Sequence, residues 1–453
     1  MGFRIATHRA RGPSVAGMRI TLLALGTRGD VWPQIALASH LVDRDHDVTV
    51  ATTVGFAPLV AGSGARLAPM PTDLTTFLAG DKGQAVLRSG GPRAVEAMGT
   101  YYSGFSDALD AATLTAVEGA EAVFGNQITF ERAAVVSEAL GIPAGIAWPM
   151  PLGPTGAYPS AMLEPGFGGA RVNLLSHRLV YAGWQLGVRS DLRAFRRRLG
   201  LAPGGPSGLR RYAAARALQL HAFSPSLLPR PTDLGPEQPM TGLWQLPARI
   251  REGAGEAVPA AVDAWIDEGP PPVYLGLGSM PVPDTQRMLA DVAAVTSELG
   301  VRGLIDATWC ADAGPLPGHL HAVGSTDHDL LLPRCRAAVH HGGHGTLAAG
   351  LRAGLPTLVC SVFADQPFWG RRVERLGVGA HVRFRKLDRA TLRTGLARVL
   401  EPATARRATQ LGAAIRAEGD GTVRAATAVD DWLVTAMPLG RAAAAPRALA
   451  ARS

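Results

Sequence analysis

The stretch MRITLLALGTRGDVWPQIALASHLVDRDHDVTVATT, residues 18–53, decides the fold. Ile20–Leu25 is a short apolar run, the pattern of a strand buried on both faces of a parallel sheet. Gly26-Thr27-Arg28-Gly29-Asp30 is turn chemistry. Pro33 suits a first helical turn, and Ile35, Leu37, Ala38, Leu41 and Val42 follow at helical spacing. Val48–Thr53 is rich in β-branched residues and predicts the next strand. A strand, a helix and a second strand in this order open an α/β domain.

The alternation continues outward. Ala122–Phe124 predicts a strand, Glu131–Leu140 a helix and Pro143–Trp148 a further strand. Residues 70–105 and 150–190 show no period and read as irregular loops. Tyr101, Tyr102, Tyr158, Phe167 and Trp184 in these regions, and Trp148 beside them, either meet an apolar ligand or pack as ordinary core. Pro225–Pro259 is rich in proline and glycine, which places an interdomain linker there. A second alternation follows, with strands at Pro272–Leu277, Gly303–Ala307, His319–Val323, Ala337–His341 and Thr357–Val362. Helices are expected at Thr285–Leu299, Gly345–Ala353, Pro367–Leu376, Ala390–Leu400 and Thr404–Glu418. A last helix near Asp420–Thr435 could pack back on the first domain. The expected organisation is a first α/β domain over 18–235, a linker over 236–259, a second over 260–418, and a crossover helix over 419–436. Residues 1–17 are an Arg-rich extension without an apolar signal-peptide core, and 437–453 an Ala/Arg-rich tail; both are expected to lie outside the packed units.

Composition removes several function classes. Of 45 basic residues against 37 acidic ones in 453, only Lys82 and Lys386 are lysines. Neither follows a glycine loop, which excludes a phosphate-binding P-loop, and a Schiff-base mechanism would have to use one of the two. The arginines are scattered rather than clustered with aromatics, which argues against nucleic-acid binding. Arg196, Arg197 and Arg198 are adjacent and read as a solvated helix face. Three cysteines, Cys310, Cys335 and Cys360, imply no disulfide framework; a reducing, cytoplasmic setting is expected. No apolar run is long enough to span a bilayer.

Two stretches carry chemistry. In Ala338-Val-His-His-Gly-Gly-His-Gly-Thr-Leu-Ala-Ala349 a strand runs into a glycine-rich turn and at once into a helix. Close backbone N–H groups and a helix start are the properties of a phosphate cradle. Here His341 and Thr346 could donate where a lysine is missing. The alternative is a tight packing turn with incidental histidines. In Cys360-Ser-Val-Phe-Ala-Asp-Gln-Pro-Phe-Trp369 the adjacent Asp365 and Gln366 offer acceptors and donors suited to a polyhydroxyl ligand, or Asp365 caps the helix that carries Pro367.

Taken together, GTRGDVWPQIALASHL at the start, GLGSMP at 276–281 and LLPRCRAAVHHGGHGTLAAGLRAGLPTLVCSVFADQPFWGRRVERLGVG near the end resemble one family from about Met18 to Trp432. It is the GT-B glycosyltransferase family that includes sterol glucosyltransferases and the vancomycin-type antibiotic glycosyltransferases. The resemblance is looser over 70–230. It implies two Rossmann-like domains facing across a cleft, with a nucleotide-sugar held mostly by the second. His341, Gly343, His344, Gly345 and Thr346 match the diphosphate cradle, and Ser279 a donor-phosphate contact. Ser325 and Thr326 match the segment that meets the nucleobase, and Asp365 and Gln366 the pair that binds sugar hydroxyls. His344 stands where relatives commonly carry Ala or Ser, and Asp327 where sterol-type relatives often carry proline.

The resemblance also implies an inverting transfer of a hexose or deoxyhexose from a UDP- or dTDP-sugar to a hydroxyl of an apolar small molecule, without a metal or other cofactor. A monomer or weak dimer is expected. The opening loop lacks the histidine of plant relatives, but antibiotic-type relatives resemble this chain in ending the loop with aspartate, which makes Asp30 the candidate base; otherwise Asp30 caps its helix or pairs with Arg28. A catalytically silent partner of another transferase is the competing reading, and retention of Asp30, His341, Asp365 and Gln366 argues against it. A dinucleotide oxidoreductase fails because G-T-R-G-D-V is not G-x-G-x-x-G and the next strand ends in Thr52-Thr53 rather than an acid.

Overall fold

The computed structural model describes residues 17–83, 85, 98–163, 169–278, 282, 284–310, 315–324 and 326–436. Residues 1–16, 437–453, Phe167, Ser279 and Ser325, on which expectations were placed, lie outside the described residues.

Two six-stranded parallel sheets organise the chain. The first runs β3-β2-β1-β4-β5-β6, with β1 Arg19–Leu23, β2 Asp47–Thr52, β3 Arg66–Pro69, β4 Ala122–Gly125, β5 Ala144–Trp148 and β6 Gln219–His221. The second runs β12-β11-β10-β7-β8-β9, with β7 Val273–Gly276, β8 Gly303–Asp306, β9 Leu320–Val323, β10 Ala337–His340, β11 Thr357–Ser361 and β12 Gly379–Arg383. Strand order reverses between β1 and β4 in one sheet and between β7 and β10 in the other. At such a switch point the two neighbouring loops diverge and leave a crevice beyond the strands' carboxyl ends. Register fixes the pairs that open there, Leu23 beside Gly125 and His340 beside Gly276.

The central strands are buried on both faces, which is why they appear in the sequence as apolar runs. The C-terminal helix Gly421–Ala436 sets Ala425, Ala426, Val429 and Leu433 into the first sheet's core beside Ile35 and Leu37. Trp432 meets Phe124 edge-on at 5.6 Å. The last helix therefore crosses back, as expected.

Two expectations are corrected. Residues 150–190 are not irregular throughout: Ala170–Arg198 is one helix of 29 residues, which buries Asn173, His177 and Phe195. Two glycines and scattered aromatics hide its period in the sequence. Arg196 is not solvated; it is 6% exposed and its guanidinium donates to Glu138, while Arg198 pairs with Asp107. The proline-rich stretch 225–259, read as the interdomain linker, is packed rather than exposed. Leu227, Leu228, Leu243, Trp244, Leu246 and Ile250 are buried, and Met240 bridges His221 of β6.

Candidate active site

Both switch points open on the same cleft, a cavity of about 720 Å³ lined by residues of both domains. On the first domain, the loop after β1 becomes the helix Arg28–Val42 through a capping box. Asp30, three residues after the N-cap Thr27, turns its carboxylate back. It accepts from the Thr27 amide at 2.7 Å and the Thr27 hydroxyl at 2.9 Å. Gly26, at φ 129°, has to be glycine, because a Cβ there would lie 2.4 Å from Asp30 Oδ2. A third donor, the Gln127 amide, comes from the loop after β4 on the far side of the switch point. Asp30 is 9% exposed, and burial raises its pKa above the ordinary carboxylate value while the Thr27 and Gln127 hydrogen bonds pull it down. Capping and a place on the cleft wall thus coexist in one side chain. Arg28 does not pair with Asp30; it meets Glu256 and lies 4.3 Å from the Trp32 ring centroid.

On the second domain the glycine loop after β10 is built around two histidines. His340 is fully buried. Its Nδ1 accepts from the Gly342 amide at 3.0 Å, so the ring proton sits on Nε2 and donates to Thr357 Oγ1 at 3.0 Å. That bond holds Gly342 at φ 89°, and a Cβ at Gly342 would lie 2.6 Å from Val359. His341 then faces the cleft, with no room for side chains beside it: a Cβ at Gly343 would lie 2.2 Å from His341 Nε2, and one at Gly278 3.0 Å from its Cε1. Gly345 has open space around it. His344 opens the helix His344–Ala353, is 8% exposed and also lines the cleft. Thr346 Oγ1 is 3.3 Å from His328 Nδ1, and His328 Nε2 is 3.0 Å from the Tyr274 hydroxyl.

The segment after β9 is tied to the stretch between the domains. Thr326 lines the cleft and donates its hydroxyl to Ala257 O at 3.2 Å. Asp327 accepts from the Asp329 amide at 2.8 Å and pairs with Arg251, both partners being buried. Asp329 in turn pairs with Arg352. Arg251 thus gives Asp327 a buried partner. Removing one partner of a buried pair leaves the other charge desolvated, so Arg251→Ala is expected to cost about 3–5 kcal/mol in urea unfolding. A loss under 1 kcal/mol would show that the pair is solvated.

Asp365 and Gln366 follow β11. Asp365 stands at the N-cap position of the helix Gln366–Arg375, yet its carboxylate makes no capping bond; it accepts from the Trp369 indole at 2.8 Å. The capping alternative for Asp365 is therefore corrected. Burial pushes its pKa up to about 7, the indole bond opposes this, and the charge of Asp30 across the cleft adds to it. Gln366 Oε1 accepts from the Val362 and Phe363 amides at 2.8 and 3.2 Å.

Beyond Asp30 the cleft is apolar and aromatic. Tyr102, Trp148 and Trp184 line it, with Phe130, Val180 and Tyr181. Tyr101 instead stacks on Phe77 at 4.1 Å, and Tyr158 packs against Phe368. Sequence reasoning missed Gln127, His328, Tyr274, Arg251 and Arg352. Only His328 left a trace, as the histidine three residues after Ser325. Among the described residues, no group of three or more His, Cys, Asp or Glu is arranged to hold a metal ion.

Buried histidines make stability depend on pH. Burial pushes His221 and His340 down to about 3, and His341 and His344 down to about 4. Unfolded imidazoles titrate near 6.5, so the stability gained by keeping these rings neutral is complete above about pH 6.5. It is lost as pH falls, each ring contributing a slope of about 1.4 kcal/mol per pH unit. Asp365 acts oppositely, because its raised pKa favours the folded state as pH falls through 7. Burial likewise raises Asp30, Asp110 and Glu131 and lowers His177, His328 and His381, so seven rings oppose four carboxyls and Tm is expected to drop between pH 6.5 and 4.5. A flat Tm over that range would contradict neutral burial.

Residues 20–152 match the glycosyltransferase family 28 N-terminal domain, and 286–422 match the erythromycin biosynthesis protein CIII-like C-terminal domain. The chain is 32% identical over 435 residues to O-mycaminosyltylonolide 6-deoxyallosyltransferase of Streptomyces fradiae, covering 92% of this chain and 98% of that one. It is a glycosyltransferase of the GT-B family. Sterol 3-beta-glucosyltransferase UGT80B1 of Arabidopsis thaliana is 30% identical over 441 residues, 94% of this chain and 70% of the plant enzyme. A second plant sterol enzyme, UGT80A2, is 32% identical, and this chain spans 57% of its length. The fold matches the glycosyltransferase of kitacinnamycin with a TM-score of 0.67 at 20% identity, over 93% of this chain and 100% of that one. It also matches the glycosyltransferase VinC in complex with dTDP, with a TM-score of 0.61 at 20% identity, over 91% and 98%. Among the described residues, no helix of this glycosyltransferase is long and apolar enough to cross a membrane.

Proposed function

We propose that this glycosyltransferase moves a hexosyl or deoxyhexosyl group from a UDP- or dTDP-sugar to a hydroxyl of an apolar small molecule, with inversion. The observation that carries the reading is the juxtaposition of Asp30 with His341, Asp365 and Gln366 on opposite walls of one cleft. The acceptor hydroxyl lies against the aromatic part of the first domain and gives its proton to Asp30 as its oxygen attacks the anomeric carbon. The bond from that carbon to the diphosphate oxygen breaks on the opposite side. His341, Gly343, His344, Gly345 and Thr346, with Ser279, hold the leaving diphosphate, where helix-start amides offset its developing charge. Ser325 and Thr326 meet the nucleobase, and Asp365 and Gln366 hold the sugar hydroxyls. Gln127 orients Asp30. In this reading residues 18–235 form the acceptor domain and 260–418 the donor domain, joined by 236–259, with 419–436 crossing back.

A screen of UDP- and dTDP-sugars against polyketide, macrolide and sterol acceptors tests it, scored by mass spectrometry of the intact glycoside. The expected result is a glycoside formed together with one nucleoside diphosphate. Nucleotide release without glycoside for every acceptor would overturn the acceptor assignment, and no turnover of any donor would overturn the whole reading.

A further inference from the structure

The helix Ala170–Arg198 has two faces with different work. His177, Val180, Tyr181 and Trp184 point into the cleft. On the opposite face Val172, Leu175, Leu179 and Leu186 are 48%, 51%, 58% and 75% exposed. Their spacing of three, four and seven residues keeps them on one stripe of a 3.6-residue helix. Arg171, Arg178 and Arg189 flank that stripe, and Arg193 and Arg197 continue it, all exposed. The helix has one acidic residue, Asp191, and its carboxylate accepts from the Ser103 hydroxyl at 2.6 Å. The exposed face is thus apolar and wholly cationic.

We propose that this face docks on an anionic phospholipid surface, with the leucines in the headgroup boundary and the arginines on lipid phosphates. A basic amphipathic helix of low net hydrophobicity lies in the membrane plane rather than across it. Charge also decides against a second copy of this chain: an isologous contact would set the same arginines against each other. The helix that shapes the acceptor part of the cleft is therefore the one that rests on the bilayer, where an apolar acceptor concentrates. That purpose rests on the acceptor reading above; the docking itself does not.

Flotation of the full chain with vesicles, without donor or acceptor, tests it. Vesicles of phosphatidylcholine alone are compared with vesicles containing a third phosphatidylglycerol. The protein is expected to float with the anionic vesicles, to stay behind with the neutral ones, and to be released by high salt. Combining Leu175→Gln, Leu179→Gln and Leu186→Gln is expected to lower partitioning by roughly tenfold or more, with circular dichroism and kcat/KM on a water-soluble acceptor unchanged. Absence of flotation by the wild type, or equal flotation by the triple variant, would overturn the proposal. A triple variant that turns a dimer into a monomer without changing flotation would assign the face to self-association instead, and overturn it too. Because vesicle binding is read without turnover, its failure is distinct from failure of the proposed function.

Discussion

Asp30→Asn is expected to reduce kcat by about 10²–10⁴-fold, the range associated with loss of a general base. Asparagine keeps a side-chain oxygen for the Thr27 amide, so the capping box and the fold survive; what disappears is the ability to take a proton. Nucleotide affinity, measured by calorimetry, is expected to stay within a few-fold of wild type, because the proposed donor site lies on the other domain. In the wild type, kcat/KM is expected to fall as pH drops through the raised pKa of Asp30, and that acid limb should vanish in the variant. A variant with at least a tenth of wild-type kcat would remove Asp30 from the role of base and leave it as a cap alone.

His341→Ala carries the second large effect, about 10²–10³-fold in kcat, the loss typical when one donor to a developing oxyanion is removed. The ring is wedged against Gly343 and Gly278, so its removal also opens a cavity, and a fall in Tm is expected with it. His341→Gln separates the two effects: it restores an N–H donor and should recover part of the rate. If His341→Ala lowers Tm while kcat is unchanged, the histidine is a packing residue and the diphosphate is held by backbone amides alone.

Much of the fold was legible because its signals are local. The strand at Ile20–Leu25 and the glycine loop at 342–345 announce themselves within a dozen residues, and the apolar strands of both switch points are buried on two faces. The helix Ala170–Arg198 was not legible, because it is packed on one side and exposed leucines occupy the other, so no single apolar stripe marks it. The edge strands β3 and β6, of four and three residues, gave too few residues to show a period, and β12, Gly-Ala-His-Val-Arg, is too polar to stand out as an apolar run.

In the site, histidines and carboxylates at loop positions could be named, but their partners could not. Gln127 reaches Asp30 across 97 residues, and Arg251 reaches Asp327 across 76. Such contacts exist only once two loops are brought to one switch point. The competing uses of Asp365 were resolved by a contact four residues away, to Trp369, which sequence spacing permits but does not require.

The most direct test of transfer across this cleft is the anomeric configuration of the product, read by proton NMR coupling after a short reaction with an α-linked donor. Single displacement, with the acceptor oxygen deprotonated by Asp30 on one face and the diphosphate leaving into the His341 loop on the other, predicts the β-glycoside. An α-glycoside would contradict it, since retention requires a different arrangement of groups from the one placed on these two walls.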